Sequence, residues 1–121
     1  MNTYYHYYEY RNTGVLEIMN DKLNIFNTAE VLNEFKNLLD RSRLRDMIVD
    51  LKNITHVDSV GIGFLIAVKN ISVKNKCNIL LVCANELVLK VLKITRMENF
   101  YKIFKSLDEA VQWINTKQTY D

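Results

Sequence analysis

The residues with the clearest chemical potential are an acid and a hydroxyl side by side, Asp58 and Ser59, followed by Gly61 and Gly63. An apolar run that ends at Leu51 precedes them, and a long apolar segment follows them. This order is typical of a helix N-terminus, where unpaired backbone N–H groups and the positive end of the helix dipole gather. We therefore expect any site in this chain to be centred on the hydroxyl of Ser59.

Nucleophilic catalysis at Ser59 would require a base, and the histidine nearest to it in sequence is His56. The spacing of these residues predicts no triad. The segment Gly61-Ile62-Gly63 lacks the third glycine of a dinucleotide fingerprint and the Gly-Lys-Ser/Thr of a P-loop. A small hydrolase that uses Ser59 and His56 is retained only as an alternative, and no catalytic residue is assigned.

Two interpretations of Ser59 stay open on the residues alone. In the first, Asp58 or Ser59 caps the helix, and Gly61 and Gly63 allow close packing against the preceding strand. In the second, the hydroxyl is exposed and another enzyme modifies it. Without further information, the plain cap is the favoured interpretation.

Composition bounds the class of protein. The chain has 121 residues, of which 49% are hydrophobic and 25% charged, which suits one globular domain over residues 1–121. A net charge of +2 gives no reason to expect nucleic acid or an anionic membrane as a partner. We see no signal peptide, and the apolar runs are too short to span a membrane, so a cytoplasmic protein is expected.

The cysteines fit this setting. Cys77 and Cys83 are six residues apart, roughly 20 Å along a strand, which is too far for a disulfide. Two cysteines without nearby histidines also make a poor metal site. We therefore expect free thiols in or near the core, and no metal or cofactor.

Periodicity predicts strands alternating with helices. After an initial hairpin, helical spacing follows Asn27, the Asp58 motif, Asn85 and Ser106, with apolar strands between these segments. The predicted order is ββαβαβαβα, an α/β fold with a mixed, mostly parallel sheet of about five strands and four helices. The connections 21–26 and 52–58 are predicted as loops.

Two further segments have both a functional and a structural interpretation. Tyr4–Tyr10 is dense in tyrosine and could be a stacking platform or contact surface, although the β-propensity of tyrosine explains it as a strand. Arg41–Arg45 could bind phosphate, although a solvated helix end accounts for it.

The motif from Asp58 to Gly63, preceded by the strand Met47–Leu51, resembles the signature of the STAS domain of bacterial anti-sigma factor antagonists. In that signature a strand is followed by Asp-Ser-small-Gly-apolar-Gly, which opens a helix. Leu23–Thr28 looks like the first loop of the family, and Val88–Thr95 resembles its third helix. The resemblance covers nearly the whole chain and implies a single domain with the STAS fold.

The resemblance also implies a function. Ser59 would be a phosphorylatable serine, and the unphosphorylated protein would bind an anti-sigma factor that is also a serine kinase. The kinase would phosphorylate Ser59 with ATP and so end the binding, and a metal-dependent serine phosphatase would reset it. The chain would be a substrate and a binding partner and not an enzyme. The alternative is a non-switching STAS interaction module of a transport or scaffold assembly.

The resemblance further implies a set of partner-binding residues around Ser59. They are Asn24, Asp58, Val60, Gly61, Ile62 and Gly63. Asn24 stands where the family usually has an Asp that helps recognition by the kinase, so the chain keeps an amide there and loses the charge. Asp21 stands where the family often has Gly and could partly restore that charge.

Overall fold

The computed structural model describes residues 4–23 and 28–120, with side chains as far as Lys117. Within these residues the chain alternates strands and helices in nearly the predicted order. The strands are β1 (Tyr5–Tyr10), β2 (Thr13–Ile18), β3 (Lys22–Leu23), β4 (Asp46–Asp50), β5 (His56–Val57), β6 (Asn78–Val82) and β7 (Lys102–Phe104). The helices are α1 (Thr28–Arg41), α2 (Ser59–Lys74), α3 (Glu86–Ile94) and α4 (Leu107–Tyr120), and a 3-10 turn spans Met97–Asn99.

A five-stranded sheet in the order β1-β2-β4-β6-β7 forms the centre of the molecule. Only the β1–β2 hairpin is antiparallel, and the other neighbours pair in parallel. The predicted fold class is therefore confirmed. The hairpin turn lies at Arg11 and Asn12, and Arg11 adopts the left-handed backbone conformation (φ 58°) that a tight turn needs.

Successive side chains of each strand point to opposite faces of the sheet and pack into two apolar layers. Met47 and Val49 of β4 pack with α1, α2 and α3, whereas Ile48 packs with Ala110 and Ile114 of α4. All five residues of β4 are buried, as predicted for a strand covered on both faces. The C-terminal part of α4 is further held by Lys117, whose ammonium donates to the buried Asp46 carboxylate at 2.8 Å.

The cysteines lie at the two ends of β6. Cys77 and Cys83 are both free and buried, as the sequence predicted. Burial raises the pKa of the Cys77 thiol to about 12 and also raises that of Cys83.

One prediction was wrong in an informative way. The connections 21–26 and 52–58, predicted as loops, contain β3 and β5, which pair in parallel as a separate two-stranded sheet. Lys22 lies opposite His56, and Leu23 opposite Val57. The backbone N–H of Thr55 also donates to the Asp21 carbonyl at 2.7 Å. These two connections therefore hold each other directly beside the start of α2.

Candidate functional site

The first turn of α2 is fixed by Asp58. Its backbone is extended, and its carboxylate Oδ1 accepts a hydrogen bond from the N–H of Gly61 at 2.9 Å. The N–H of Ile62 donates to the Asp58 carbonyl at 3.0 Å and closes the first turn. Asp58 is thus the N-cap, and the helix begins at Ser59, one turn before the apolar segment from which it was predicted.

Ser59 therefore does not cap the helix. It is the first residue of α2, its side chain is exposed, and the part of the chain that the structure describes provides its hydroxyl with no hydrogen-bond partner. Two of the alternatives left open by the sequence are thereby separated, because the acid caps the helix and the hydroxyl faces solvent. The first turn also presents the N–H groups of Ser59 and Val60 toward the same end.

His56 is directed to a different neighbour. Its Nδ1 lies 2.8 Å from the hydroxyl Oγ1 of Thr55, and both side chains are exposed. Among the described residues, no hydrogen bond joins His56 to Ser59. The arrangement therefore gives Ser59 no oriented base of the kind a serine nucleophile needs.

The two glycines of the motif do different things. A Cβ atom at Gly61 would lie 2.5 Å from the carbonyl oxygen of Leu23 and 2.9 Å from Cγ1 of Val57. Gly61 therefore permits the close contact between α2 and the two-stranded sheet; close packing was predicted for it, but against the preceding apolar strand. The same prediction was wrong for Gly63, because this glycine is exposed and a Cβ atom there would meet nothing within 4 Å.

Of the other predicted site residues, Asn24 lies outside the described residues. Leu23, directly before it, is buried against the first turn of α2. Asp21 is exposed, and its carbonyl anchors the segment that leads to Asp58.

An apolar surface surrounds Ser59. Val60 is 40% exposed, Ile62 is half-buried, and Gly63 leaves open space between them and α1. A shallow groove of about 330 Å³ runs there, lined by Thr28, Ala29, Leu32, Val60, Gly63 and Phe64. This groove gives α2 a surface suited to an apolar partner.

Two exposed apolar side chains outside the predicted site residues extend this surface. Ile66 is 46% exposed and lies on α2, and Leu87 is 70% exposed and lies on α3 in a groove that also contains Asp58. The near-continuous apolar character of α2 was the available signal, since such a helix is either buried or shared with a partner.

The buried carboxylate of Asp50 helps to hold in place the segment that leads to α2. Asp50 ends β4, and its Oδ1 accepts from the N–H of Lys52 at 3.0 Å. Burial raises the pKa of Asp50, and the hydrogen bond from Lys52 opposes this shift. Beside it, Glu17 pairs with the ammonium of Lys52 at 3.3 Å and raises the pKa of that lysine. Asn53 donates to both Glu17 and the carbonyl of Ile18, so the segment is tied to β2.

Over residues 4–110, the chain matches the profile of the STAS domain. The chain belongs to the STAS domain family. The resemblance stated from the Asp58–Gly63 motif is thereby confirmed.

Solved structures agree on the fold of this STAS domain. A candidate anti-sigma factor antagonist of Thermotoga maritima superposes with a TM-score of 0.79 at 23% identity, covering 92% of this chain and 94% of the other. The anti-sigma factor antagonist SpoIIAA in its unphosphorylated form gives 0.78 at 13% identity, covering 93% and 96%. A sulfate transporter family protein of Wolinella succinogenes gives 0.70 at 16% identity, covering 87% and 86%.

The described part of this STAS domain contains neither a cluster of metal ligands nor a helix that could span a membrane. No group of three or more His, Cys, Asp or Glu side chains there could hold a metal ion. None of its described helices is both long and apolar enough to cross a membrane.

Proposed function

We propose that this STAS domain is an anti-sigma factor antagonist that is switched by phosphorylation of Ser59. It binds an anti-sigma factor that is also a serine kinase, and a metal-dependent serine phosphatase restores the binding form. The protein acts in the cytoplasm as one domain over residues 1–121, as a substrate and not as a catalyst. The observation that carries the proposal is the exposed Ser59 hydroxyl on a helix that Asp58 already caps.

The unphosphorylated surface is suited to an apolar partner face. Val60 and Ile62 supply apolar contact area, and Gly63 leaves room for a partner side chain in the groove between α1 and α2. Asp58 contributes by holding the turn. Gly61 is buried, and it contributes by allowing the first turn of α2 to lie close to the two-stranded sheet. Asn24 is proposed as a contact of the kinase, from its place in the family's first loop.

Phosphorylation would change this surface without dismantling it. The added group brings roughly −1.5 to −2 charges and three acceptor oxygens. The N-terminal N–H groups of α2 favour an anion, so the fold tolerates the phosphate. The Asp58 carboxylate stands beside it, and together they make the turn strongly negative and costly to bury against an apolar or acidic partner. A loss of about 3 kcal/mol would weaken binding by roughly two orders of magnitude.

The decisive experiment treats the full chain with its cognate kinase and ATP and maps the modification by mass spectrometry. One phosphate is expected, on Ser59. Ser59→Ala should abolish it and keep partner binding, and Ser59→Asp should weaken binding. Ser106→Ala is the matched control, because Ser106 is also an exposed serine at a helix start. Phosphate on another residue, or none with any candidate kinase, would contradict the switch.

A second experiment addresses Asn24. Because the family usually has an acid at this position, Asn24→Asp should raise the rate of phosphorylation by such a kinase. The matched control is Asn33→Asp, which adds the same charge at an exposed position of α1. An equal rate for both variants would remove Asn24 from the recognition surface.

A second candidate function is a non-switching interaction module of a transport or scaffold assembly, with Ser59 only as part of a helix start. The fold shared with a sulfate transporter family protein favours it. Pull-down of a transporter component that is unchanged by Ser59→Asp would support this module and contradict the switch.

A further inference from the structure

The tyrosine-rich strand β1 forms one open edge of the sheet, and the proposed switch does not use it. Within the described residues, β1 pairs only with β2. Its six residues contain neither lysine nor proline, the residues with which proteins commonly protect a strand edge. The opposite edge, β7, has three residues, begins with the exposed Lys102 and is followed by Lys105. Only β1 therefore offers a long and unprotected edge.

The hydrogen-bonding groups on this edge can be assigned. The carbonyl of Tyr4 accepts from the N–H of Met19, its neighbour on the β2 side. Because backbone groups alternate in direction along a strand, the even-numbered residues of β1 bond to β2. The N–H and C=O groups of Tyr7 and Glu9 then point to the open side. A further strand could pair with them without disturbing the hairpin.

The side chains divide between the two faces in the same way. Tyr7 packs against the core on the α1 side, and its hydroxyl donates to Glu9 Oε1 at 2.7 Å. His6, Tyr8 and Tyr10 lie on the α4 side, where Tyr8 is 38% and Tyr10 56% exposed. The rings of His6 and Tyr8 are 5.6 Å apart. Three aromatic rings thus form a row along the edge.

We propose that β1 pairs with β1 of a second copy of this chain, antiparallel, about a twofold axis at Tyr8. In this register Tyr7 of each copy lies opposite Glu9 of the other, so their outward groups form four backbone hydrogen bonds. Tyr8 faces Tyr8 of the second copy, and His6 faces Tyr10. The two sheets join into one, with the α4 sides on the same face.

The placement of charge favours this register over one centred on Glu9. An axis at Glu9 would place two carboxylates directly opposite each other, which is destabilising. An axis at Tyr8 instead places each Glu9 opposite Tyr7 of the second copy, whose hydroxyl donates to Glu9 of its own chain. It also brings Arg11 of the second copy toward Tyr5, which lies near the acidic Glu30 and Glu34 of α1. Aromatic pairs directly across the strands stabilise such an edge further.

Sedimentation velocity of the full chain tests the proposal. A contact made by one pair of strands is smaller than a standard protein interface and should dissociate reversibly. We therefore expect a monomer–dimer equilibrium at protein concentrations of about 5 to about 500 µM. Tyr8→Lys places two like charges at the axis and should raise the dissociation constant at least about tenfold. The control Ile94→Lys, at the exposed end of α3, should leave it unchanged. A chain that stays monomeric throughout, or a dimer lost in Ile94→Lys and kept in Tyr8→Lys, would overturn the proposal.

Crosslinking tests the register. Tyr8→Cys puts two sulfurs face to face across the axis, within the Cβ separation a disulfide can accept. Tyr10→Cys puts its two sulfurs four residues apart along the strands, beyond that reach. Mild oxidation should therefore link Tyr8→Cys into dimers and leave Tyr10→Cys monomeric on a non-reducing gel, and circular dichroism checks that both variants fold. The native cysteines do not interfere because they are buried. The opposite pattern of crosslinking would refute the register.

Discussion

Two helices of this protein have an exposed serine at their start, Ser59 inside α2 and Ser106 directly before α4, and the two serines have opposite roles. Before α4, the Ser106 hydroxyl accepts from the N–H of Glu109 at 3.2 Å, and Glu109 in turn accepts from the N–H of Lys105. Before α2, Asp58 performs the capping and Ser59 stands one residue further inside the helix. A shift of one position thus decides whether the serine hydroxyl caps the helix or stays exposed without a capping bond.

The surroundings of the two helix starts differ as well. The first turn of α2 is pressed against the two-stranded sheet through Gly61. The first turn of α4 carries its own reciprocal cap through Ser106 and Glu109. The start of α2 therefore depends on distant parts of the chain, whereas the start of α4 is largely local.

The largest effect is expected from Gly61→Ala. The added methyl group would collide with the backbone of Leu23, so we expect the free energy of unfolding to fall by about 1–3 kcal/mol. Chemical denaturation measures this change. The matched control is Gly63→Ala, which should raise stability by about 0.5–1 kcal/mol because its position is open and alanine favours helix. Equal effects of the two substitutions would show that the start of α2 is not held by the two-stranded sheet.

Asp58→Ala should have the next largest effect. It removes the cap of α2 and a negative charge at the positive end of the helix, and should cost about 1–2 kcal/mol. Asp58→Asn keeps the acceptor and should recover most of this loss. If Asp58→Ala were as stable as the parent protein in urea denaturation, another residue would have to cap α2.

Ser106→Ala and Ser59→Ala test the comparison directly. The first removes a capping oxygen and should lower stability by about 1 kcal/mol. The second removes a hydroxyl that makes no hydrogen bond with the described residues, and should change stability by less than about 0.5 kcal/mol. Thermal unfolding of both variants side by side gives the answer. A loss at Ser59 as large as that at Ser106 would mean that its hydroxyl supports the fold after all.

The smallest effect is expected from Asp50→Asn, and it should depend on pH. Because burial raises the pKa of Asp50 in the folded state, ionisation of this carboxyl favours unfolding as pH rises. The asparagine keeps the acceptor for Lys52 and cannot ionise, so the variant should be more stable than the parent near pH 7. At about pH 3 the aspartate is mostly protonated in both states, and the difference should disappear.

Much of this molecule could be predicted from the sequence where the determining contacts are local or periodic. Asp58, Asn85 and Ser106 lie at helix starts that were expected from residue type and spacing. The apolar runs of β4 and β6 likewise predicted strands, and β4 is buried throughout.

The errors share a different physical origin. Strands β3 and β5 have two residues each, too few for any period, and they exist because segments far apart in sequence meet. Gly63 was wrongly given a packing role because the sequence does not show whether another residue lies opposite a glycine. Pairing and empty space are properties of the folded chain, and a single sequence does not display them.

The two cysteines at the ends of β6 make opening of the sheet measurable by thiol labelling. A thiol reagent reacts with thiolates, and the thiols of Cys77 and Cys83 are both enclosed and held protonated by burial. Labelling at neutral pH must therefore wait until an inner strand of the sheet opens. At a reagent concentration high enough to outpace reclosing, its rate would report how long the closed state lasts, before and after a group is placed on Ser59.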